Sequence, residues 1–179
     1  MPVHTTSIRP STGSYTYAGI TQVSYSSLNG NYSTNSTSWT DITSLSASIT
    51  PQSTGSRILV QFSLGRATTD RHDLDYAAGL RVLRGSTVAD FNGAADGNRQ
   101  RCCGTIQGLA YNDDHNVGPW TFGGIDHPNT TSSVTYKVQA QCQSGNVPFH
   151  LNRSINNNNV GNIYYGAARA TIIVMELGN

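Results

Sequence analysis

The chain has 179 residues, a net charge of +1 and 12% charged residues, with a single Lys (Lys137) and a single Glu (Glu176). Ser, Thr, Asn and Gly supply 20, 20, 16 and 18 residues, so strong surface helix formers are nearly missing and a helical bundle or doubly wound α/β fold is excluded. The near-zero charge without a Lys/Arg cluster speaks against nucleic acid, and no apolar run approaches the length of a membrane span.

Residues 1–18 are polar and carry Pro2, Pro10 and Gly13, which reads as an extended N-terminal arm. Residues 1–9 lack the apolar stretch of a signal peptide. Folding in a cytoplasm is therefore expected, with Cys102, Cys103 and Cys142 as free thiols. Strand signals then follow one another. Residues 19–25 alternate Ile20 and Val23 with polar positions, and residues 29–36 form an Asn/Ser/Gly-rich loop or edge. Residues 38–49 carry Trp39, Ile42, Leu45, Ala47 and Ile49. Their apolar phase slips between Ile42 and Leu45, which predicts a bulge. A turn at 51–55 leads to a clear strand at 57–64, with Ile58, Val60, Phe62 and Leu64 on one face.

A polar loop at 70–75 precedes a hairpin of 76–83 and 87–91 across Arg84, Gly85 and Ser86. After a Gly/Ala/Asn loop at 92–101 come weaker strands at 105–111 and 119–125. Residues 133–143 alternate most cleanly: Tyr136, Val138, Ala140 and Cys142 share one face, and Lys137, Gln139, Gln141 and Gln143 the other. Cys142 is thus expected to be an inert core thiol. A strand at 147–152 and an Asn-rich loop at 156–162 lead to the last strand, 168–177. Its centre, Ala170 to Met175, is apolar on both faces. Such a strand lies centrally with both faces covered, or a neighbouring subunit buries one of them. About eight to ten short strands with regular turns predict an all-β chain: a single antiparallel jelly-roll sandwich over 19–179.

Chemistry-bearing clusters are few. Residues 70–75 hold Asp70, His72, Asp73 and Asp75, an oxygen-rich set that can bind Ca²⁺, but the spacing is not that of an EF-hand. A solvated loop, with Arg71 pairing across subunits, is the simpler reading. Asp113, Asp114 and His115 make a weaker second set. Paired carboxylates also serve glycosidases, yet these sit in irregular loops, and no nucleophile elbow or phosphate loop occurs. No catalytic residue, metal or cofactor is expected. The aromatics Trp39, Tyr76, Tyr111, Trp120, Tyr164 and Tyr165 are candidates for stacking sugars. The sequons at Asn31, Asn35, Asn129 and Asn152 are expected to be bare.

A further set of stretches carries a family resemblance. Ile20-Thr21-Gln22-Val23, Ser38-Trp39-Thr40-Asp41-Ile42-Thr43, Leu45-Ser46-Ala47-Ser48-Ile49 and Ser56-Arg57-Ile58-Leu59-Val60 come first. Leu83-Arg84-Gly85-Ser86-Thr87, Ser133-Val134-Thr135-Tyr136-Lys137-Val138, Leu151-Asn152-Arg153-Ser154 and Ile173-Val174-Met175-Glu176-Leu177 follow in order. Together, over residues 19–177, they resemble a recurrent module of tailed-phage structural proteins. The resemblance implies a trimeric jelly roll, similar to tumour-necrosis-factor and complement-head domains, carried on virions as a fibre, knob or head-decoration module. The 70–75 loop, the adjacent Cys102 and Cys103 and the 92–101 loop depart from the pattern, so partner identity does not carry over.

Within that class, the expected role is a homotrimeric capsid decoration or cement protein, bound to the major capsid protein or another virion protein and assembled in a bacterial cytoplasm. The alternative is a receptor-binding knob or fibre tip that recognises a host-surface glycan; a lectin or hydrolase outside the virion trails both. Some 18 residues outside the jelly roll would reach about 60 Å if fully extended, enough for a clamp but not a shaft. Val3, Ile8, Tyr15 and Tyr17 of the arm are the expected partner contacts. Tyr164, Tyr165, Ile173 and Met175 are the expected trimer contacts.

Overall fold

Alternating apolar and polar side chains, rich in β-branched residues at the apolar positions, favour pleated strands with one face in a core. The computed structural model describes residues 19–69, 76–107, 118–156, 161 and 166–178. Among them are eleven strands and no helix: β1 (Ile20–Leu28), β2 (Tyr32–Thr34), β3 (Thr40–Ile49), β4 (Arg57–Thr69), β5 (Ala77–Arg84), β6 (Thr87–Val88), β7 (Gly104–Gln107), β8 (Gly118–Asp126), β9 (Val134–Cys142), β10 (Phe149–Leu151) and β11 (Ala170–Leu177).

All pairings are antiparallel. In one sheet β1, β11 and β4 lie side by side, β8 takes the other edge of β4, and β10 and β2 continue the sheet past the end of β11. Ala67 marks the junction, facing Gly118 on one side and Leu151 on the other. The second sheet runs β3, β9, β5, with β6 and β7 both on the remaining edge of β5. The chain crosses between sheets from β2 to β3, β3 to β4, β4 to β5, β7 to β8, β8 to β9 and β9 to β10, which is jelly-roll connectivity. Between the sheets Leu45, Phe62, Leu80, Ile106, Tyr136 and Phe149 are fully buried.

Most expected elements are present. Ile58, Val60, Phe62 and Leu64 face inward, and so do Tyr136, Val138, Ala140 and Cys142. The phase slip in β3 is a bulge: pairing with β9 shifts between Asp41 and Ser46, and Ser44 takes a left-handed φ of 69°. The hairpin turns through Gly85, at φ 60°, where a side chain would be strained. The 29–36 stretch is the edge expected of it: it contains β2, a short strand at the end of the sheet, paired with β10. Other elements differ. β4 runs on to Thr69 because β10 and Gly118 supply partners beyond Leu64. Trp120 is not the exposed aromatic its sequence context suggests. β8 turns it inward, and its ring stacks on Phe122 (6.3 Å between centroids), which in turn stacks on Phe62 (5.4 Å). The arm residues 1–18, the 70–75 loop, the 113–115 set, Tyr111, Tyr164 and Tyr165 lie outside the described residues.

Candidate functional site

β11 lies between β1 and β4, so its inner residues Ala170, Ile172 and Val174 are buried by the opposing sheet. The same strand sends Thr171, Ile173, Met175 and Leu177 to the outer face, where each is half-buried. Residues directly opposite in an antiparallel pair share a face. Val23, Met175, Leu59 and Ile125 therefore form one continuous apolar row across β1, β11, β4 and β8. The next row is Tyr25, Ile173, Gln61 and Gly123. In the row after that the face turns to hydroxyls. Ser27 Oγ lies 3.2 Å from Thr171 Oγ1, and Ser63 Oγ lies 3.3 Å from Thr121 Oγ1.

β1 inverts the usual polarity of a sandwich strand. Ile20, Val23 and Tyr25 point outward and are 55%, 55% and 72% exposed, whereas Ser24 and Ser26 face the second sheet. Ser26 Oγ donates to Ser44 O at 2.6 Å, so the positive-φ bulge of β3 is what receives the polar side of β1. Among the described residues of these four strands, the charged side chains that do not face the core are Arg57 at one rim and the part-buried Arg66 beyond the register shift at the other end of β4; neither stands in the two apolar rows. Of the expected trimer contacts, the structure thus places Ile173 and Met175 on one face, beside three apolar residues of β1 that the sequence reading did not single out.

The outer face of the second sheet is different in kind. Lys137 Nζ donates to Asp41 Oδ2 at 2.8 Å, Gln139 Nε2 donates to Asp41 Oδ1 at 2.5 Å, and Arg81 Nε donates to Gln139 Oε1 at 2.8 Å. Beside this network lies a groove of about 270 Å³, walled by Trp39 and floored by Gly79. The segment linking β2 to β3 is strapped along the end of β9: Cys142 N donates to Ser36 O at 2.8 Å, and Gln141 Nε2 donates to Thr37 O at 2.6 Å. The strap lays the Trp39 ring over Gly79, where an added Cβ would stand 3.1 Å from Cη2. The Arg81 guanidinium carbon sits 4.4 Å from the ring centroid, and Trp39 Nε1 donates to Gln100 Oε1 at 3.2 Å.

Two buried carboxylates belong to the scaffold. Asp126, at the end of β8, is fully buried. It accepts from Arg84 Nη1 at 2.6 Å, Tyr136 Oη at 2.7 Å and Asp90 N at 2.7 Å. Burial, and then the Asp126 carboxylate that holds its proton, push the Tyr136 phenol well above its ordinary value. Glu176 faces inward at the end of β11 and is 2% exposed. It accepts from Ser56 Oγ, from Gln52 N at 2.9 Å and from Gln22 Nε2 at 2.5 Å. Burial raises its pKa, but the bonds from Ser56, Gln52 and Gln22 outweigh burial and leave it below the ordinary carboxylate value. Sequence reading noticed Glu176 as the single glutamate and missed that it locks the turn between β3 and β4. Among the described residues no group of three or more His, Cys, Asp or Glu side chains is placed to hold a metal. Burial pushes the Cys103 thiol up to about 12, and its Sγ donates to Leu80 O at 3.1 Å.

No family model and no curated protein matches this chain. Among solved structures, it is similar to a chain of the T=1 particles derived from infectious bursal virus, with 13% identity and a TM-score of 0.43. The likeness covers 99% of this chain and 41% of the viral one, so the chain spans less than half the length of that neighbour.

Proposed function

We propose that the protein is a non-enzymatic structural module of a virion that works as a homotrimer, packed through the outer face of the β1, β11, β4 and β8 sheet and seated on the capsid as a decoration or cement protein. One observation carries the reading: the large hydrophobics left exposed among the described residues, Ile20, Val23 and Tyr25, all lie on that face, in register with Leu177, Met175 and Ile173. A strand gains nothing by turning its apolar side to water. The face also meets the requirement for burial against a copy of itself, because its two apolar rows carry no charged side chain and burying them desolvates no ion. Tyr164 and Tyr165 are proposed to extend the same contact.

The setting comes from the ordered resemblance to tailed-phage modules, which supports a virion location and assembly in a bacterial cytoplasm. Residues 1–18, through Val3, Ile8, Tyr15 and Tyr17, are proposed to hold the trimer to a neighbouring shell protein by adding backbone to a sheet edge. Three arms per trimer multiply a weak contact. Light scattering of the purified protein is expected to give three times the 19.2 kDa chain mass; a monomer at micromolar concentration would remove the trimer. Gold labelling of particles is expected to show many copies over the head. Label confined to the tail or one vertex would replace decoration with a receptor-binding knob. Deletion of residues 2–17 is expected to leave a folded trimer that no longer binds particles; normal binding would clear the arm of that role.

A further inference from the structure

We propose that the Trp39 groove on the β3, β9 and β5 sheet is a binding site for a neutral saccharide. It lies on the opposite outer face from the apolar sheet, so it stays open in the trimer and stands or falls separately from it.

The argument starts from what has been built around one aromatic ring. An indole held by packing alone would rotate; this one is fixed by Gly79 beneath, Arg81 against the ring and Gln100 at the ring nitrogen. It lies tightly on a glycine in a central strand, where an added Cβ at 3.1 Å would make the ring give by a few tenths of an ångström. Around it stand Gln100, Gln141, Gln143, Thr37 and Thr105. Each glutamine spends one half of its amide on the scaffold. Gln141 uses its nitrogen on Thr37 O, Gln143 its oxygen on Ala77 N, and Gln100 its oxygen on Trp39. The bonded halves fix the amide planes. The other halves, an oxygen on Gln141 and nitrogens on Gln143 and Gln100, are left without a partner among the described residues, at fixed positions beside a flat apolar wall.

That combination selects the ligand class. Rigid amides of both polarities suit hydroxyl groups, which donate and accept at once. The ring offers an apolar face to the C–H side of a pyranose. Among the described residues no charged side chain lines the groove, and Arg81 beside it is committed to the Trp39 ring and to Gln139, which disfavours an anionic ligand. A volume of about 270 Å³ is at the small end of ligand sites and suits one or two sugar units of a longer chain. A receptor-binding knob would use such a site on a host-surface glycan.

The test uses the full chain with Trp120→Phe, which leaves Trp39 as its single indole reporter. Fluorescence is titrated with neutral hexose oligomers (maltohexaose, cellohexaose and mannohexaose) and with an oligogalacturonide as the anionic control. At least one neutral oligomer is expected to give a saturable change at about 10 mM or below, above the millimolar dissociation constant of a weak single site. The oligogalacturonide is expected to give none. Trp39→Ala, followed by affinity electrophoresis, is expected to abolish retardation. Because that variant disturbs the strap, the double variant Gln143→Ala, Thr105→Val keeps the ring and its fluorescence. It is expected to weaken binding about tenfold, with a melting temperature lowered only by the loss of the exposed bond from Ala77 N to Gln143. No saturable change with any neutral oligomer, equal binding of the anionic control, or wild-type affinity in the double variant would each overturn the proposal.

Discussion

Truncating Tyr25 to Ala tests the apolar face most directly. An aromatic side chain buries about 150–250 Å² when fully covered. Tyr25 keeps 72% of its surface in water, so covering it in a trimer removes roughly 110–180 Å². At about 25 cal/mol per Å² that amounts to roughly 2.5–4.5 kcal/mol as an upper limit, and incomplete burial brings it to about 2 kcal/mol per subunit. Three copies per trimer make about 6 kcal/mol, or some four decades in the trimer dissociation constant. Because that constant carries concentration squared, the midpoint of dissociation moves about a hundredfold upward. The isolated subunit is expected to lose little, since an exposed residue without deep packing contributes within about 0.5 kcal/mol. Sedimentation over a dilution series reads the midpoint, and a urea melt of the dissociated chain reads the subunit. An unchanged midpoint, or a shift explained by loss of subunit stability, would refute the reasoning.

Asp126→Ala is expected to cost about 3–5 kcal/mol in urea melts by stranding Arg84 and the Tyr136 hydroxyl, whereas Tyr136→Phe, which deletes one donor, costs about 1–3 kcal/mol. The folded-state pKa of Glu176 is depressed, so its stabilisation is fully present above its ordinary value of 4.5 and is lost as pH falls through the folded value. Melting temperature against pH is therefore expected to fall more steeply below 4.5 in the wild type than in Glu176→Gln. A Cβ at Gly104 would stand 2.0 Å from Phe122 Cε1, within a ring already stacked on both sides, so Gly104→Ala is expected to lose about 1–3 kcal/mol. Mass spectrometry after iodoacetamide treatment at neutral pH is expected to find Cys103 unmodified in the folded protein, because a thiol held near 12 supplies almost no thiolate.

Alternation made β9 and the first half of β4 legible, because a period of two with one apolar face admits one orientation in a sandwich. The slip from Ile42 to Leu45 was equally readable as an irregularity; the pairing with β9 in fact takes up three extra residues between Asp41 and Ser46, with Ser44 at positive φ among them. β1 was harder. Ile20, Val23 and Tyr25 look like an inward set, and local pattern carries no sign of which side the second sheet lies on. The last strand posed the same difficulty, since Ile172 and Ile173 are chemically identical and the fold sends one to the core and the other to the outer face. The Trp39 groove was less legible still. Its glutamines read correctly as the outward face of β9, but Gly79 and Gln100 come from distant stretches that only the β3, β9, β5 order brings beside the indole.

The contrast between the two outer faces is the strongest argument for the proposed trimer face. Both sheets bury one side in the same core, and both have a second side free to evolve separately. On the β3, β9 and β5 sheet that side carries the chain's single lysine, its Asp41 partner, Arg81 and a run of glutamines, a composition that water tolerates without help. On the β1, β11, β4 and β8 sheet the corresponding positions are Val23, Tyr25, Ile173, Met175, Leu59 and Ile125, in register over four strands. A solvent-facing sheet edge such as β1 would ordinarily be protected by charge. Here the serines that could have met water are turned inward, with Ser26 on the Ser44 bulge, so the polar side of the strand seats it and the apolar side faces outward, as the proposed trimer contact requires.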